Sequence, residues 1–194
     1  MTPRERTFFS TRTLLTLAAI GVGAGLIVIP ISWVSQLVWA GAPMLYGAFV
    51  IPWVLPGVIA QAVVPRGGSA LVSGLIAGLV AVPFTGGIGG LSLFLFIAAF
   101  LELPYALTLW RRWTAAMAYL AAGVLSVGYA AFWWFTLDAG RFPPVVRAIT
   151  IVVLVAAILI ATALGRLIAA RLQRAGVGVA AGRAREVSAP APVG

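Results

Sequence analysis

The sequence predicts an all-α integral membrane protein, built as a bundle of six transmembrane helices. Of its 194 residues, 62% are hydrophobic and only 9% are charged, whereas roughly a quarter of the residues in a soluble domain are charged. A bilayer can hold such a chain because lipid tails are as apolar as leucine side chains. Six apolar stretches also approach the roughly 20 residues that a helix needs to cross the hydrocarbon core.

The predicted helices follow one another with short connections. They cover residues 14–37, 43–64, 68–84, 91–110, 113–137 and 144–168. Pro30 marks a bend in the first helix, and the third helix is short and ends in the glycine-rich turn 85–90. The chain therefore divides into an N-terminal segment (1–13), a six-helix transmembrane domain (14–168) and a basic tail (169–194). We expect the tail to be disordered because it is rich in Gly, Ala and Pro.

The arginine distribution predicts the orientation in the membrane. All thirteen basic residues are Arg, and six alternating spans leave only Arg141 and Arg147 on the minority face. The positive-inside rule then predicts a multi-pass protein of the cell membrane with both termini in the cytoplasm. Charge that sets topology and meets lipid headgroups also explains the net charge of +9 better than nucleic-acid binding does.

Composition narrows the chemistry that this chain can perform. It contains no Cys and no His, which removes disulfides, thiolate nucleophiles and the usual zinc and haem ligands. Its four acids are Glu5, Glu102, Asp138 and Glu186, and no two of them form a pair suited to acid–base catalysis. We expect neither enzyme activity nor a cofactor or metal in this chain. Without a Walker motif, it does not itself hydrolyse ATP.

Glu102 is the sharpest single feature of the sequence. It lies eleven residues into the predicted fourth helix, and we therefore expect it near the middle of the bilayer, where an acid costs about 2.5 kcal/mol or more. It marks either a substrate path or a structural, hydrogen-bonded glutamate. Pro104 frees the carbonyl of Phe100, and Tyr105 shares a helical face with Glu102. Together these groups form a polar corner suited to a small ligand with an amino group.

Aromatic residues form stripes in the outer halves of two predicted helices. Tyr46, Phe49 and Trp53 share a face of the second helix, and Tyr129 and Trp133 form an i, i+4 pair on the fifth. Such surfaces either stack on a flat heteroaromatic ligand or serve as core packing and interfacial belt. The candidate substrate-binding residues are therefore Glu102, Tyr105, Tyr46, Trp53, Tyr129 and Trp133.

Small residues crowd the first predicted helix. Ala19 and Gly23 form one small-xxx-small pair, and Gly21 and Gly25 form another. Small faces let helices approach closely, so the partner is either another helix of this chain or another subunit.

Several stretches resemble one known family. Residues 43–47 (PMLYG), 65–73 (PRGGSALVS) and 75–80 (LIAGLV), together with Glu102 and the helix end at Trp110-Arg111, resemble the YkoE-like substrate-binding (S) components of energy-coupling factor (ECF) transporters. The resemblance covers about residues 14–168.

The resemblance implies an importer component. Such proteins bind a vitamin or its precursor from outside, and they pair with a transmembrane coupling protein and two cytoplasmic ATPases, which hydrolyse the ATP. For this chain it implies thiamine or its hydroxymethylpyrimidine precursor as ligand, with Glu102 at the ligand's amino side. It also implies that Ala19 and Gly23 contact the coupling protein. Gly74 and Ala81 stand where the family often has acids, which favours a neutral or weakly basic pyrimidine, or another vitamin, over cationic thiamine.

Two other functions remain open from the sequence. A stand-alone secondary transporter or small channel would need ion-coupling residues inside the bundle, for which only Glu102 qualifies. A membrane scaffold subunit would use the small-residue faces as its interface.

Overall fold

The computed structural model describes residues 10–85, 87–136, 140 and 142–177, and the regular structure in these ranges is helical. It comprises α1 (Thr11–Gly41), a 3₁₀ segment (Pro43–Val50) that runs directly into α2 (Ile51–Val63), α3 (Ser69–Ala81), α4 (Ile88–Leu107), α5 (Ala115–Thr136) and α6 (Pro144–Arg174). The predicted all-α bundle of six helices is confirmed.

Five of the helices are long and apolar enough to cross a membrane, when α2 is counted with its 3₁₀ segment. The exception is α3, whose 13 residues extend about 20 Å and fall short of the roughly 30 Å hydrocarbon core. At the other extreme, α1 continues through Pro30 to Gly41, and α6 continues to Arg174. Residues 169–174, which the sequence analysis assigned to the tail, are part of this helix.

Much of the two predicted terminal segments lies outside the described residues. The predicted disorder of the tail concerns residues 178–194 in particular, and these residues are not described.

The second predicted helix is irregular in its first half. Pro52 has no N–H, so the carbonyl of Ala48 accepts instead from the N–H of Ile51, one residue earlier. This i→i+3 bond lies at the end of the 3₁₀ segment Pro43–Val50, which has the tighter winding of that helix type. The segment packs closely on α6: a Cβ added to Gly47 would lie 2.9 Å from the backbone nitrogen of Leu154.

The helices pack in two connected groups. In one, α1 packs on α3, and α3 packs on α4; in the other, α6 packs on α2, on the 3₁₀ segment and on α5. The main hydrophobic core lies between α2, α4, α5 and α6, where Val54, Leu125 and Ile158 have no exposed surface. Because α4 also packs on α5, it joins the two groups.

The structure separates the two small-residue pairs of α1. A Cβ added to Gly21 would lie 2.7 Å from the carbonyl oxygen of Ser73, and one added to Gly25 would lie 2.7 Å from that of Ala77. These two glycines therefore let the backbones of α1 and α3 touch. Gly23 has open space around it, with nothing within 4 Å of an added Cβ. Of the two partners considered from the sequence, the Gly21–Gly25 pair meets another helix of the same chain.

We expect Gly25→Val to destabilise the folded protein by about 1–3 kcal/mol, the usual cost of overpacking a tight contact. Thermal unfolding in lipid nanodiscs, followed by tryptophan fluorescence, measures the effect. The matched control is Gly23→Val on the same helix, which meets open space and should leave the melting temperature unchanged. Equal losses in the two variants would contradict the α1–α3 contact.

Candidate functional site

Charged residues distinguish the two ends of the bundle. At one end, the guanidinium of Arg12 donates to the carbonyl of Gly176 at 3.4 Å, which brings the start of α1 beside the end of α6. The end of α2 lies there too, because the amide of Gln173 donates to the carbonyl of Ala62 at 2.8 Å. We call this the basic end. At the opposite end, the guanidinium of Arg147 lies 5.2 Å from the ring centre of Trp134.

A polar cavity of about 170 Å³ lies at the end opposite the basic residues, and we call it the distal cavity. The second half of α1, the 3₁₀ segment, α2, the α3–α4 turn, α4 and α5 all contribute to its wall. Its polar lining residues are Ser32, Ser35, Gln36 and Thr85, and its aromatic lining residues are Tyr46, Phe49, Trp53 and Tyr129.

The hydroxyl groups of the distal cavity are arranged as acceptors. Ser32 donates its proton to the carbonyl of Ile29, and Ser35 donates to the carbonyl of Ser32, both at 2.7 Å. Thr85 donates to the carbonyl of Ala81 at 3.0 Å. A hydroxyl that donates to the backbone keeps lone pairs free to accept. This wall therefore suits an occupant with N–H or O–H groups.

Tyr129 is one of two tyrosines in the aromatic wall. Only 6% of this residue is exposed, and its ring packs against Phe96 and Phe132 at centroid distances of 6.3 and 5.8 Å. Its hydroxyl forms no hydrogen bond with any described residue and is not fully enclosed by protein. Since Tyr129 lines the distal cavity, its hydroxyl is available to an occupant.

Three of the six predicted substrate-binding residues meet in this cavity, namely Tyr46, Trp53 and Tyr129. Trp133 does not line it. That residue is 3% exposed, and its ring stacks on Phe142 at 6.3 Å. Its buried indole nitrogen has no hydrogen-bond partner among the described residues.

Glu102 lies at the basic end, away from the distal cavity. The mid-bilayer expectation assumed a fourth helix over residues 91–110, whereas α4 begins at Ile88 and ends at Leu107, five residues after Glu102. Its carboxylate accepts hydrogen bonds from the backbone N–H groups of Gly68 and Ala70, both at 2.9 Å. A third bond comes from the indole N–H of Trp110 at 3.2 Å.

These bonds make Glu102 a cap for a neighbouring helix. The first N–H groups of a helix have no partner within it, and a carboxylate there also complements the helix dipole. The surrounding turns shape the contact: Gly68 has a φ of 85°, and Leu109 and Trp110 have φ of 52° and 54°. The arrangement matches the structural, hydrogen-bonded glutamate considered from the sequence.

Tyr105 also faces the basic end. It lines a second cavity, of about 280 Å³, with Gln61, Trp113 and Arg166. The predicted polar corner of Glu102 and Tyr105 therefore does not share a cavity with Tyr46, Trp53 and Tyr129.

Sequence reasoning missed most of the polar wall. Ser32 and Ser35 are spaced i, i+3 on the first helix, and this spacing was the signal that could have found them. Thr85 and Gly90 come together across the α3–α4 turn, where an added Cβ on Gly90 would collide with the Thr85 hydroxyl. No sequence pattern marks that contact.

The other small-residue pair of α1 faces outward. Ala19 and Gly23 line an open apolar groove of about 820 Å³ between α1, α2 and α6, together with Leu55, Ile59 and Ile168.

Comparisons with known proteins agree with this architecture. A family model described as "ABC-type cobalt transport system, permease component" matches residues 12–128. A solved structure titled "Crystal structure of an S-component of ECF transporter" superposes with a TM-score of 0.81 at 19% identity, covering 92% of this chain and 94% of that one. At this identity the likeness shows a common fold. No curated protein matches the chain.

We expect Glu102→Gln to destabilise the protein by about 1–3 kcal/mol, because its new NH₂ group would face N–H donors and leave them unpaired. Thermal unfolding in nanodiscs measures the loss. Trp110→Phe removes only the longest of the three bonds and should lower the melting temperature less. An unchanged melting temperature for Glu102→Gln would show that the cap contributes nothing.

Proposed function

Because the chain belongs to the family of ABC-type cobalt transport system permease components, we propose that it is the substrate-binding membrane component of an ATP-driven ECF importer. The S-component fold supports this role. The distal cavity carries the proposal, since it combines acceptor groups, aromatic walls and an available Tyr129 hydroxyl at one end of the bundle. Membership of a transporter family makes the chain a transport component and not an enzyme.

The proposed orientation places the basic end and both termini in the cytoplasm. The positive-inside rule supports it, because Arg residues cluster at the ends of α4 and α6 and at the start of α1. The distal cavity then opens toward the outside of the cell membrane, as capture of an external substrate requires.

The volume of the distal cavity limits the size of the proposed substrate. Cavities of about 150 Å³ hold one benzene-sized ring, whereas sites for drug-sized ligands measure about 300–1,000 Å³. A volume of about 170 Å³ therefore favours a single substituted ring.

The lining chemistry favours an uncharged heterocycle that carries hydrogen-bond donors. Ser32, Ser35 and Thr85 offer acceptors, Tyr46 and Trp53 offer ring faces, and none of the described lining residues is charged. The hydroxymethylpyrimidine precursor of thiamine has one ring, an amino group and a hydroxyl group, and fits these constraints. Thiamine itself is larger and cationic, and burying its charge calls for a compensating group.

The cavity does not suit the cobalt ion that appears in the family's name. Divalent transition metals favour imidazole, thiolate and carboxylate ligands. The chain has no His and no Cys, and in its described part no three acids lie together. Neutral hydroxyl and amide groups alone would compensate poorly for the lost hydration of a divalent ion.

The proposed partners are a transmembrane coupling protein and two cytoplasmic ATPases, which hydrolyse the ATP. The groove at Ala19 and Gly23 is the proposed contact with the coupling protein. It is apolar, and nothing lies within 4 Å of a Cβ added to Gly23. Small residues let a partner helix approach closely in a membrane.

We expect hydroxymethylpyrimidine to quench the tryptophan fluorescence of the purified protein saturably, and with a lower Kd than thiamine. Tyr129→Phe should weaken this binding about three- to tenfold, the effect of losing one hydrogen bond. Titration of the chain in nanodiscs gives the Kd values.

Glu102→Gln provides the matched control, since this residue lies at the basic end. The folded fraction of that variant should bind with the wild-type Kd. Saturable cobalt binding without any response to pyrimidines or thiamine would contradict the proposed substrate class. A Kd raised by Glu102→Gln but not by Tyr129→Phe would contradict the distal site.

We expect Gly23→Leu to prevent co-purification with the coupling protein and its ATPases, because the larger side chain fills the groove against which the partner helix packs. The control is Val22→Phe, which adds bulk at an exposed position of α1 outside the groove. Pull-down of the co-expressed complex measures the effect. Equal retention of the partners by both variants would contradict the proposed interface.

A further inference from the structure

The second cavity, which we call the basal cavity, lies at the basic end and has a volume of about 280 Å³. It is formed between α2, the end of α4, the start of α5 and α6. Its polar and aromatic lining includes Gln61, Tyr105, Trp113, Thr114, Arg166 and Gln173. Unlike the distal cavity, it contains a permanent charge, the guanidinium of Arg166.

Arg166 has no protein carboxylate available to it in the described part of the chain. The only acid in that part is Glu102. Both oxygens of Glu102 already accept hydrogen bonds, from Gly68, Ala70 and Trp110. A half-buried guanidinium without a counter-charge is unfavourable in a low-dielectric setting. The described residues therefore give Arg166 no counter-charge, and an anion in the basal cavity would supply one.

Tyr105 directs a second donor into this cavity. The residue is 3% exposed, and its ring stacks on Trp113 at 4.6 Å with an interplanar angle of 24°. Its hydroxyl forms no hydrogen bond with any described residue and is not fully enclosed by protein. An anion in the cavity can therefore accept a hydrogen bond from it.

The start of α5 is a third feature that favours an anion in the basal cavity. Thr114, which lines the cavity, precedes α5, and its hydroxyl accepts from the N–H of Met117 at 3.3 Å. The earlier N–H groups of Ala115 and Ala116 have no partner within the helix. The positive end of the helix dipole favours an anion at this place.

The depth of Arg166 matches that of a lipid headgroup. It follows Pro144, the first residue of α6, by 22 positions, a rise of about 33 Å along the helix. The hydrocarbon core is about 30 Å thick. With Pro144 at the opposite face of the hydrocarbon core, Arg166 lies at the boundary between hydrocarbon and headgroups at the basic end.

We propose that the basal cavity binds a phosphate-class anion between Arg166, the Tyr105 hydroxyl and the start of α5. The anion is either the headgroup of an acidic phospholipid in the adjacent leaflet or a free phosphate compound. Arginine suits this ligand because its planar guanidinium donates two parallel hydrogen bonds to phosphate oxygens. The site is independent of the substrate proposed for the distal cavity.

Native mass spectrometry of the full chain, titrated with a soluble short-chain phosphatidylglycerol and separately with inorganic phosphate, tests this inference. We expect saturable binding of one molecule, weakened at least about tenfold by Arg166→Gln and about threefold by Tyr105→Phe. The control is Arg171→Gln, which removes the same charge from an exposed position outside the cavity. Arg171→Gln should retain the wild-type affinity.

The two probes distinguish the sources of the anion. Binding of phosphatidylglycerol alone supports a lipid headgroup, and binding of inorganic phosphate supports a free phosphate compound. If Arg166→Gln and Arg171→Gln weaken binding equally, binding depends only on the overall charge, and the proposed site is overturned. The proposal is also overturned if neither probe binds saturably. If Arg166→Gln does not fold, the affinities of Arg166→Lys and Tyr105→Phe decide the question, because both variants keep the positive charge. Wild-type affinity in both would also overturn the proposal.

Discussion

The carboxylate of Glu102 joins α4 to the start of α3 at the basic end of the bundle. The first N–H groups of this short helix are largely buried, and a buried N–H without a partner costs about 1–3 kcal/mol. Glu102 supplies the missing acceptor from α4 and binds the backbone of Gly68 and Ala70. The same carboxylate holds the indole of Trp110, which covers the turn before α3. The carboxylate is thus occupied by contacts within the fold, and Glu102 does not line the distal cavity at the other end.

The distal cavity forms where regular helices stop. Its wall includes the 3₁₀ segment, which ends just before Pro52, and the turn between α3 and α4. Irregular backbone is tolerated at membrane depth only where it is buried in protein or lines a polar space. The irregular elements are thus tolerated because they line the distal cavity. Close α1–α3 packing at Gly21 and Gly25 gives that arrangement a rigid support.

The two ends of the bundle differ in charge, and the two faces of α1 differ in packing. The distal cavity has no charged side chain among its described lining residues, whereas the basal cavity contains Arg166. On α1, the residue spacing turns Gly21 and Gly25 toward α3 and leaves Ala19 and Gly23 facing the groove. A protein that takes a neutral ligand at one end, faces acidic headgroups at the other and docks a partner along its side would use all three features.

The sequence by itself determined the fold class and the number of helices, because apolar runs of bilayer length have few other stable arrangements. It also singled out Tyr46, Trp53 and Tyr129 through the periodic spacing of aromatic residues, and these three residues line the distal cavity. Only the tertiary structure decided what Glu102 does. Its partners are 34 and 32 residues away along the chain, and no local pattern encodes that contact. The same holds for Thr85 beside Gly90 and for the division of α1 into packed and open faces, because each depends on which helix becomes the neighbour.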